Sequence, residues 1–202
     1  MISPVVVLVL VRHAVSVTPT LDGPDEHHRP LTKAGHEQAV ALAAPLVGFG
    51  VSQVVSSPYL RAIQTIEPTA QALGLPICHR DDLREWRSGL DPTPGWQAHY
   101  EQRWNQPDLA IGAGETLTDL THRAGNAVRD LVASVSSTTT ILAATHGTWI
   151  ARGLLALGLS IDCAFWLSMP TPAIYKLGFD GPHLHSALGP GLNQVHPNGQ
   201  SR

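Results

Sequence analysis

The sequence predicts an α/β protein, built as a three-layer sandwich with a mostly parallel central sheet and helices on both faces. Three observations predict this class. Val5–Val11 is a continuous run of Val and Leu, typical of a central parallel strand that is buried on both faces. Segments with a strand pattern alternate along the chain with segments of helical spacing. Glycine and proline residues stand between these segments, where they end them.

The first predicted helix follows a polar loop, His27–Pro30. Thr32 is a residue type that caps helices, and apolar residues recur at helical spacing from there to about Val47. Two glycines, at positions 48 and 50, end this pattern. The next segment, Val51–Ser57, predicts a second short strand.

The second predicted helix starts almost at once. Pro58 stands where a helix can begin, and Leu60–Leu73 carries a helical pattern that ends at Gly74. The segment Leu75–Asp81 then predicts a third strand. These two strand–helix units extend the alternation that defines the class.

The segment Trp86–Gly114 differs in kind from the rest of the chain. It holds three prolines, several glycines and three of the five tryptophans. We expect it to be a lid-like excursion over one side of the sheet, with a short helix around Trp96–Trp104. We expect residues 1–202 to form a single domain, because 202 residues suit one domain and there is no internal repeat.

The last part of the chain predicts five further elements and a tail. "TTTILAATHG" predicts a strand that breaks at Gly147. Residues 196–202 are expected to fray. The remaining predictions are a helix over Glu115–Val135, a helix over Trp149–Leu157, and a terminal pair of strands over Ala173–Phe179 and His183–Leu188.

Composition limits the partners and the compartment. Hydrophobic residues make up 43% of the chain, and the net charge of −3 argues against a nucleic-acid partner bound on a basic face. The apolar run near the N-terminus is too short for a membrane span and lacks the features of a signal peptide. Cys78 and Cys163 form no disulfide or metal pattern. We expect a cytoplasmic protein with a small-molecule partner and no membrane partner; a homodimer is compatible with the sequence, although no residue requires one.

Chemically active side chains follow several of the predicted strands. Arg12 and His13 come directly after the first strand, and His146 ends a later one. Arg61 falls in the first turn of the helix after the second strand, and Glu85 follows the third. In open α/β sheets, ligands bind beyond the carboxyl ends of the strands. Topology therefore predicts that these five residues meet at one edge.

Each of these residues alone has a commoner explanation. An Arg-His pair at a strand end is more often a solvated loop pair, and a single arginine in a first helical turn is more often on the surface. A lone histidine is more often a hydrogen-bonded core residue. Together, however, four groups that are cationic or can become so would repel one another unless an anion lay between them.

The anion that fits this set best is a phosphoryl group. Guanidinium groups match its non-bridging oxygens in pairs. A neutral histidine nitrogen is a competent nucleophile at phosphorus, and a second, protonated histidine can stabilise charge in the transition state. A carboxylic acid can protonate the departing oxygen. This scheme requires no metal and no cofactor.

Six motifs, in this order, carry a resemblance to a known family: "LVRHA", "LTKAGHEQA", "VVSSPYLRAIQT", "LREW", "AGET" and "ATHG". Over about Val5–Leu157 the chain resembles the histidine phosphatase superfamily, whose fold is phosphoglycerate mutase-like, and "SMPTPAIYKL" is similar to the family's closing strand. The resemblance implies that His13 becomes a phosphohistidine, with its ring fixed by the carbonyl of Ala14. It implies that Glu85 is the acid that protonates the leaving group and then activates water. The groups that it implies hold the phosphate are Arg12, Arg61 and His146.

The chain departs from the family pattern at four positions. Ala14 stands for the usual glycine, Val15 for a common Glu or Gln, and Thr145 for the usual serine before the second histidine. Pro19 replaces a common asparagine that contacts phosphate. Ser16 keeps a hydroxyl and is a candidate to supply the contact that Pro19 cannot make.

The same resemblance leaves two reactions open, because mutases and phosphatases share the phosphohistidine. Two arginines of the excursion, Arg87 and Arg103, could bind a second anionic group; for Arg103 we favour simple packing along a helix. Trp86 and Trp149 are candidates to contact the organic part of a substrate, and both could equally be core. "LREW" lacks the Arg-Tyr pair of cofactor-dependent mutases. The candidate substrate-binding residues are Ser16, Trp86, Arg87, Gly147 and Trp149.

The sequence therefore favours a metal-independent phosphomonoester hydrolase that acts on a small phosphorylated metabolite. The alternatives are a cofactor-dependent phosphoglycerate mutase and a non-catalytic phosphate-binding module, although the intact set of five residues favours an enzyme. Metal binding by histidine pairs, at 27–28 and at 183 and 185, is the weakest alternative because neither pair has further ligands at metal-site spacing.

Overall fold

The computed structural model describes residues 5–135 and 138–195. Its centre is a seven-stranded sheet with the strand order β3-β2-β4-β1-β5-β6-β7. The strands are β1 (Val5–Arg12), β2 (Gln53–Ser56), β3 (Ile77–His79), β4 (Thr139–Thr145), β5 (Ala173–Asp180), β6 (His183–Gly189) and β7 (Leu192–Val195).

Six α-helices accompany the sheet: α1 (Lys33–Val47), α2 (Leu60–Leu73), α3 (Trp96–Asn105), α4 (Leu117–Ala133), α5 (Gly147–Ala156) and α6 (Cys163–Ser168), with one 3₁₀ turn over Asp81–Leu83. None of these helices is long and apolar enough to cross a membrane.

The sheet is parallel on one side and antiparallel on the other. Strands β1, β2, β3 and β4 are parallel, and β5, β6 and β7 extend the sheet beyond β1 as antiparallel neighbours. A parallel pair needs a crossover connection, and helices supply the crossovers of this sheet. The predicted α/β class and the predicted terminal strand pair are confirmed.

Strand β1 is buried because helices cover both faces of the sheet. Leu8 and Leu10 belong to a core that includes residues of α4 and α5. Val9 and Val11 point the other way, into a second core that includes residues of α1 and α2. All four side chains are fully buried. Successive strand residues face opposite sides, so a strand between two helical layers needs an unbroken apolar run.

The helix boundaries follow the predicted capping residues. Thr32 accepts a hydrogen bond from the backbone N–H of Gly35 at 3.0 Å and so caps α1. The helix over Glu115–Val135 begins two residues later than predicted, because Thr116 and Asp119 form a reciprocal capping box. Gly74 ends α2 with a φ of 65°, in the left-handed region that favours glycine.

Two short elements were not predicted. Helix α6 has six residues, too few for periodicity to show, and it is capped by Asp162, which accepts from the N–H of Phe165 at 2.8 Å. Strand β7 has four residues and continues the hairpin from β6. The predicted fraying of residues 196–202 lies outside the described residues.

The excursion over residues 86–114 packs through aromatic contacts. Its helix α3 places Tyr100 between two tryptophans, with ring centroids 4.8 Å from Trp86 and 5.5 Å from Trp166 of α6. Trp104 lies 6.1 Å from the same Trp166 ring. Aromatic pairs at these distances add stability beyond their buried area.

Gly35 allows α1 to approach the loop that follows β1. A Cβ atom at this position would lie 2.0 Å from the carbonyl oxygen of Val15. That oxygen also accepts the backbone N–H and the hydroxyl of Thr32, at 3.0 and 3.1 Å. The glycine of the "LTKAGHEQA" motif therefore fixes the distance between helix and loop.

We expect Gly35→Ala to lower the free energy of unfolding by about 1–3 kcal/mol, because the new methyl group overlaps backbone that cannot move freely. Denaturant unfolding measures this loss. Gly95→Ala is the matched control, since a Cβ there meets nothing within 4 Å. Equal stability of the two variants would contradict the steric explanation.

Candidate active site

The pairing of β1 with β4 brings the two predicted site histidines together. Arg12 is opposite Thr145 in the parallel register, and the N–H of His13 donates to the Thr145 carbonyl at 3.0 Å. His13 and His146 therefore leave adjacent strands at the same edge, with ring centroids 5.2 Å apart. Strand β2 pairs on the other side of β4, and α2 follows it.

His13 is held in one tautomer. Its Nδ1 lies 2.8 Å from the carbonyl oxygen of Ala14, and its Nε2 accepts from Nε of Arg61 at 3.2 Å. Because a carbonyl only accepts and a guanidinium only donates, Nδ1 carries the proton and Nε2 keeps its lone pair. Burial, and then the nearby Arg61 charge, lower the pKa of His13 well below 6.5.

His146 is fully buried at the N-terminal end of α5. Its Nε2 lies 2.8 Å from Oγ of Ser57, whereas its Nδ1 has no hydrogen-bond partner among the described residues. Burial, with the charge of Arg61 next in importance, lowers its pKa well below 6.5. His146 is therefore neutral at pH 7 in this structure, and its protonation in the transition state stays a prediction.

Arg12 reaches across the site from the end of β1. Its Nη1 donates to the carbonyl oxygens of Met169 and Pro170, at 2.5 and 3.3 Å. Its Nε is buried and unpartnered in the described parts of the chain. A Cβ at Gly147 would lie 3.0 Å from that Nε, so the glycine leaves room for the guanidinium.

Arg61 is 1% exposed, and all three of its nitrogens have partners. Besides the bond to His13, Nη1 donates to the carbonyl oxygen of Glu26 at 2.7 Å and Nη2 to Glu26 Oε2 at 2.9 Å. The same Oε2 accepts from Nη2 of Arg29 at 3.0 Å. Two guanidinium groups thus converge on one carboxylate oxygen.

Glu26 and Arg29 were missed by sequence reasoning, which treated 27–30 as an ordinary polar loop. Arg29 also donates from Nη1 to Oγ of Ser16 and to the carbonyl oxygen of Val17, both at 2.8 Å. Its side chain is 11% exposed. One sequence signal could have identified these residues: Glu26 and Arg29 are oppositely charged, three positions apart, and lie shortly before the residue that caps α1.

Glu85 lies against the start of α5. Its Oε1 accepts from the backbone N–H groups of Trp86 and Trp149, at 2.9 and 3.1 Å, and its Oε2 accepts from that of Thr148 at 3.3 Å. Burial lowers the pKa of Arg12, and the charge of Glu85 partly offsets this effect. The carboxylate is therefore fixed in direction and close to the cationic groups.

A buried ion pair braces the segment that carries Glu85. Glu115 of the "AGET" motif is 8% exposed in its side chain and accepts two hydrogen bonds from Arg123 of α4, at 2.7 and 2.8 Å. Arg123 also donates to the carbonyl oxygens of Asp82, Arg84 and Glu85, at 2.9, 2.8 and 3.4 Å. The motif was recognised in the sequence, but this supporting role was not.

The predicted substrate-binding residues fall into different environments. Gly147 lies beside Arg12, and Ser16 is bonded to Arg29. Arg87 is exposed. Trp86 and Trp149 are 6% and 0% exposed and belong to the hydrophobic core; their indole N–H groups donate to the carbonyls of Glu115 and Asp82. Both tryptophans are therefore core residues, the second of the two interpretations that the sequence allowed.

Two other sequence features have clear places. Arg103 is 8% exposed on α3 and donates to its neighbour Gln102, as the packing alternative expects. His28 is exposed and pairs with Asp25 at 2.9 Å. Within residues 5–135 and 138–195, no group of three or more His, Cys, Asp or Glu residues is placed to hold a metal ion.

A sequence model of the histidine phosphatase superfamily, branch 1, matches residues 8–187. The chain belongs to this family. The match includes all five residues that meet at the sheet edge, which are Arg12, His13, Arg61, Glu85 and His146. The fold is that of histidine phosphatases, with a sheet that is mixed and covered on both faces by helices.

Curated relatives match parts of the chain. An 8-oxo-(d)GTP phosphatase of Mycolicibacterium smegmatis is 39% identical over 38% of this chain and 23% of its own length. A probable phosphoglycerate mutase, GpmB, of Escherichia coli is 31% identical over 50% of this chain and 53% of its own. The chain thus spans about a quarter and about half of the lengths of these relatives.

Solved structures match over most of their lengths. A mycobacterial glucosyl-3-phosphoglycerate phosphatase superposes with a TM-score of 0.68 at 25% identity, over 85% of this chain and 89% of that one. An Entamoeba histolytica phosphoserine phosphatase superposes with a TM-score of 0.72 at 18% identity, over 94% and 98%. The second likeness shows the shared fold.

The two buried histidines predict that the protein loses stability in acid. In the unfolded chain a histidine takes up a proton as the pH falls below about 6.5, whereas in the folded state burial keeps His13 and His146 neutral. The unfolded state then binds more protons, so the free energy of unfolding falls by up to about 1.4 kcal/mol per pH unit for each histidine.

Denaturant unfolding between pH 7.5 and 5, in buffer without phosphate, measures this slope. We expect His146→Gln to reduce it, because one buried histidine is gone. His36→Gln, on the exposed face of α1, is the matched control. A slope that His146→Gln leaves unchanged would show that its burial does not govern acid stability.

Proposed function

We propose that the protein is a metal-independent phosphomonoester hydrolase that acts on a small phosphorylated metabolite through a phosphohistidine. The observation that carries this proposal is the state of His13. Its ring is neutral and fixed by the Ala14 carbonyl, and the lone pair on Nε2 faces the cationic side of the site. A nucleophile at phosphorus needs this combination.

Attack by Nε2 on phosphorus would form a nitrogen–phosphorus bond as the bond to the leaving oxygen breaks. The negative charge of the transferring group would be spread over its non-bridging oxygens, where Arg12 and Arg61 can donate hydrogen bonds. His146 is neutral without ligand, and an arriving anion favours its protonated form. The guanidinium groups supply the positive charge that this reaction requires.

Glu85 is the residue best placed to move protons. Three backbone N–H groups fix the direction of its carboxyl group, and the Glu115–Arg123 pair braces the segment below it. In the first half of the reaction the protonated form of Glu85 would give its proton to the leaving oxygen, and the second half would restore that form. In the second half its carboxylate would take a proton from the water that attacks the phosphohistidine.

A mutase is the second candidate, because one curated relative carries that name. A mutase must hold a second anionic group of its substrate, and the excursion over residues 86–114 offers little charge for it. Arg103 is buried against its own helix, so Arg87 is the exposed arginine that remains there among the described residues. This supports the hydrolase over the mutase. The intact five-residue set supports either enzyme over a non-catalytic phosphate-binding module.

The decisive experiment is hydrolysis of an aryl phosphate in the presence of a chelator, followed by a search for acid-labile phosphate on the protein. The proposal expects turnover by the wild type and none by a folded His13→Ala variant. Turnover that survives in His13→Ala would reject the phosphohistidine. Phosphate exchange between phosphoglycerates without net hydrolysis would favour the mutase.

We expect Glu85→Gln to slow hydrolysis of an alkyl phosphate by about 10²–10⁴-fold, because an alkoxide leaves poorly without a proton. An activated aryl phosphate should be affected much less, since its leaving group needs no acid. Steady-state kinetics on the two esters measure the difference. Glu37→Gln, at an exposed position of α1, is the control for carboxylate loss. Equal losses on both esters would exclude the acid role.

A further inference from the structure

Glu26 occupies the donors that a bound phosphoryl group would need. Its Oε2 lies 2.9 Å from Nη2 of Arg61 and 3.0 Å from Nη2 of Arg29, and its Oε1 lies 3.0 Å from Nε of Arg29. Guanidinium groups bind carboxylate and phosphate oxygens with the same paired geometry. The carboxylate thus stands where phosphate oxygens would be recognised.

This arrangement also restrains the nucleophile. Both Nη groups of Arg61 donate hydrogen bonds to Glu26, and its Nε donates to the lone pair of His13 Nε2. An attacking nitrogen must have a free lone pair, so Arg61 has to shift before His13 can react. Releasing the Glu26 carboxylate frees one side of Arg61 for that shift.

Glu26 is placed so that it can leave. Its side chain is 49% exposed, and it lies in an exposed stretch, Thr18–His28, that contains no helix or strand. Partly exposed ion pairs are weak, because water solvates each partner well when the pair separates. By contrast, Arg61 is buried and its backbone belongs to the first turn of α2, so only the end of its side chain has to turn away from His13.

Charge compensation explains why a carboxylate is present at all. Without an anion, Arg61 and Arg29 would face each other beside Arg12 and two buried histidines. Burial is the largest single influence on Glu26 and opposes its ionisation, but the charges and hydrogen bonds of Arg61 and Arg29 together outweigh it and lower the pKa of the carboxyl group below 4.5. Glu26 is therefore charged at neutral pH and offsets part of the positive charge of the two arginines.

We propose that Glu26 is an internal competitor of phosphate, an affinity-determining residue whose carboxylate the substrate phosphoryl group displaces from Arg61 and Arg29. This inference rests on the proposed function, because it takes the phosphoryl group to bind Arg61. It implies that inorganic phosphate, the product, is held more weakly than two convergent arginines alone would hold it.

The test is equilibrium binding of inorganic phosphate at pH 7, measured by titration calorimetry on the full chain. Glu26→Gln keeps the size of the side chain and removes its charge. We expect this change to lower the dissociation constant of phosphate by about two- to fivefold, the effect of removing a partly exposed competing ion pair. The matched control is Asp25→Asn, which removes the neighbouring carboxylate, one that pairs with His28 and not with Arg61.

Tighter binding by Glu26→Gln, with no change in Asp25→Asn, would support the competitor. Unchanged or weaker binding would overturn it, and weaker binding would show that Glu26 instead holds the arginines ready for phosphate. Aryl phosphate turnover by the same wild-type preparation tests the proposed function separately. If the wild type hydrolyses the ester but Glu26→Gln binds phosphate as the wild type does, only this inference is rejected and the proposed function stands.

Discussion

The parallel pairing of β1 with β4 is the interaction on which the site depends. The register that sets Arg12 opposite Thr145 places the two histidines one residue further on, at the same sheet edge. Every other group then approaches that edge from its own element: Arg61 from α2, Glu85 from the loop after β3, and Arg29 from the loop before α1. A sheet slipped by two residues would keep each side chain of β1 on its face but would separate the histidines.

Much of the fold and the central site could be predicted because each depends on local pattern and on one topological rule. The apolar run of β1 and the residues that cap α1 and end α2 carry their structure in a few adjacent positions. The meeting of Arg12, His13, Arg61, Glu85 and His146 follows because parallel strands end at one edge. This prediction required no knowledge of contacts between side chains.

What could not be predicted depends on long-range contacts between side chains. Arg29 bonds to Ser16, and it shares Oε2 of Glu26 with Arg61. Both contacts form only when the loop folds over the sheet edge. The neutral state of His146 depends on its complete burial, which no single residue of "ATHG" encodes. The same is true of Trp149, whose ring is covered by core residues from several elements.

The contact between Gly147 and Arg12 has a consequence for how such a chain can vary. Any side chain at position 147 begins 3.0 Å from the guanidinium of Arg12, a residue of the first strand. The two positions therefore form one steric unit, although they belong to separate motifs. A side chain at 147 would push the Arg12 guanidinium aside, so a substitution in the first turn of α5 would act on the group that faces the phosphate site.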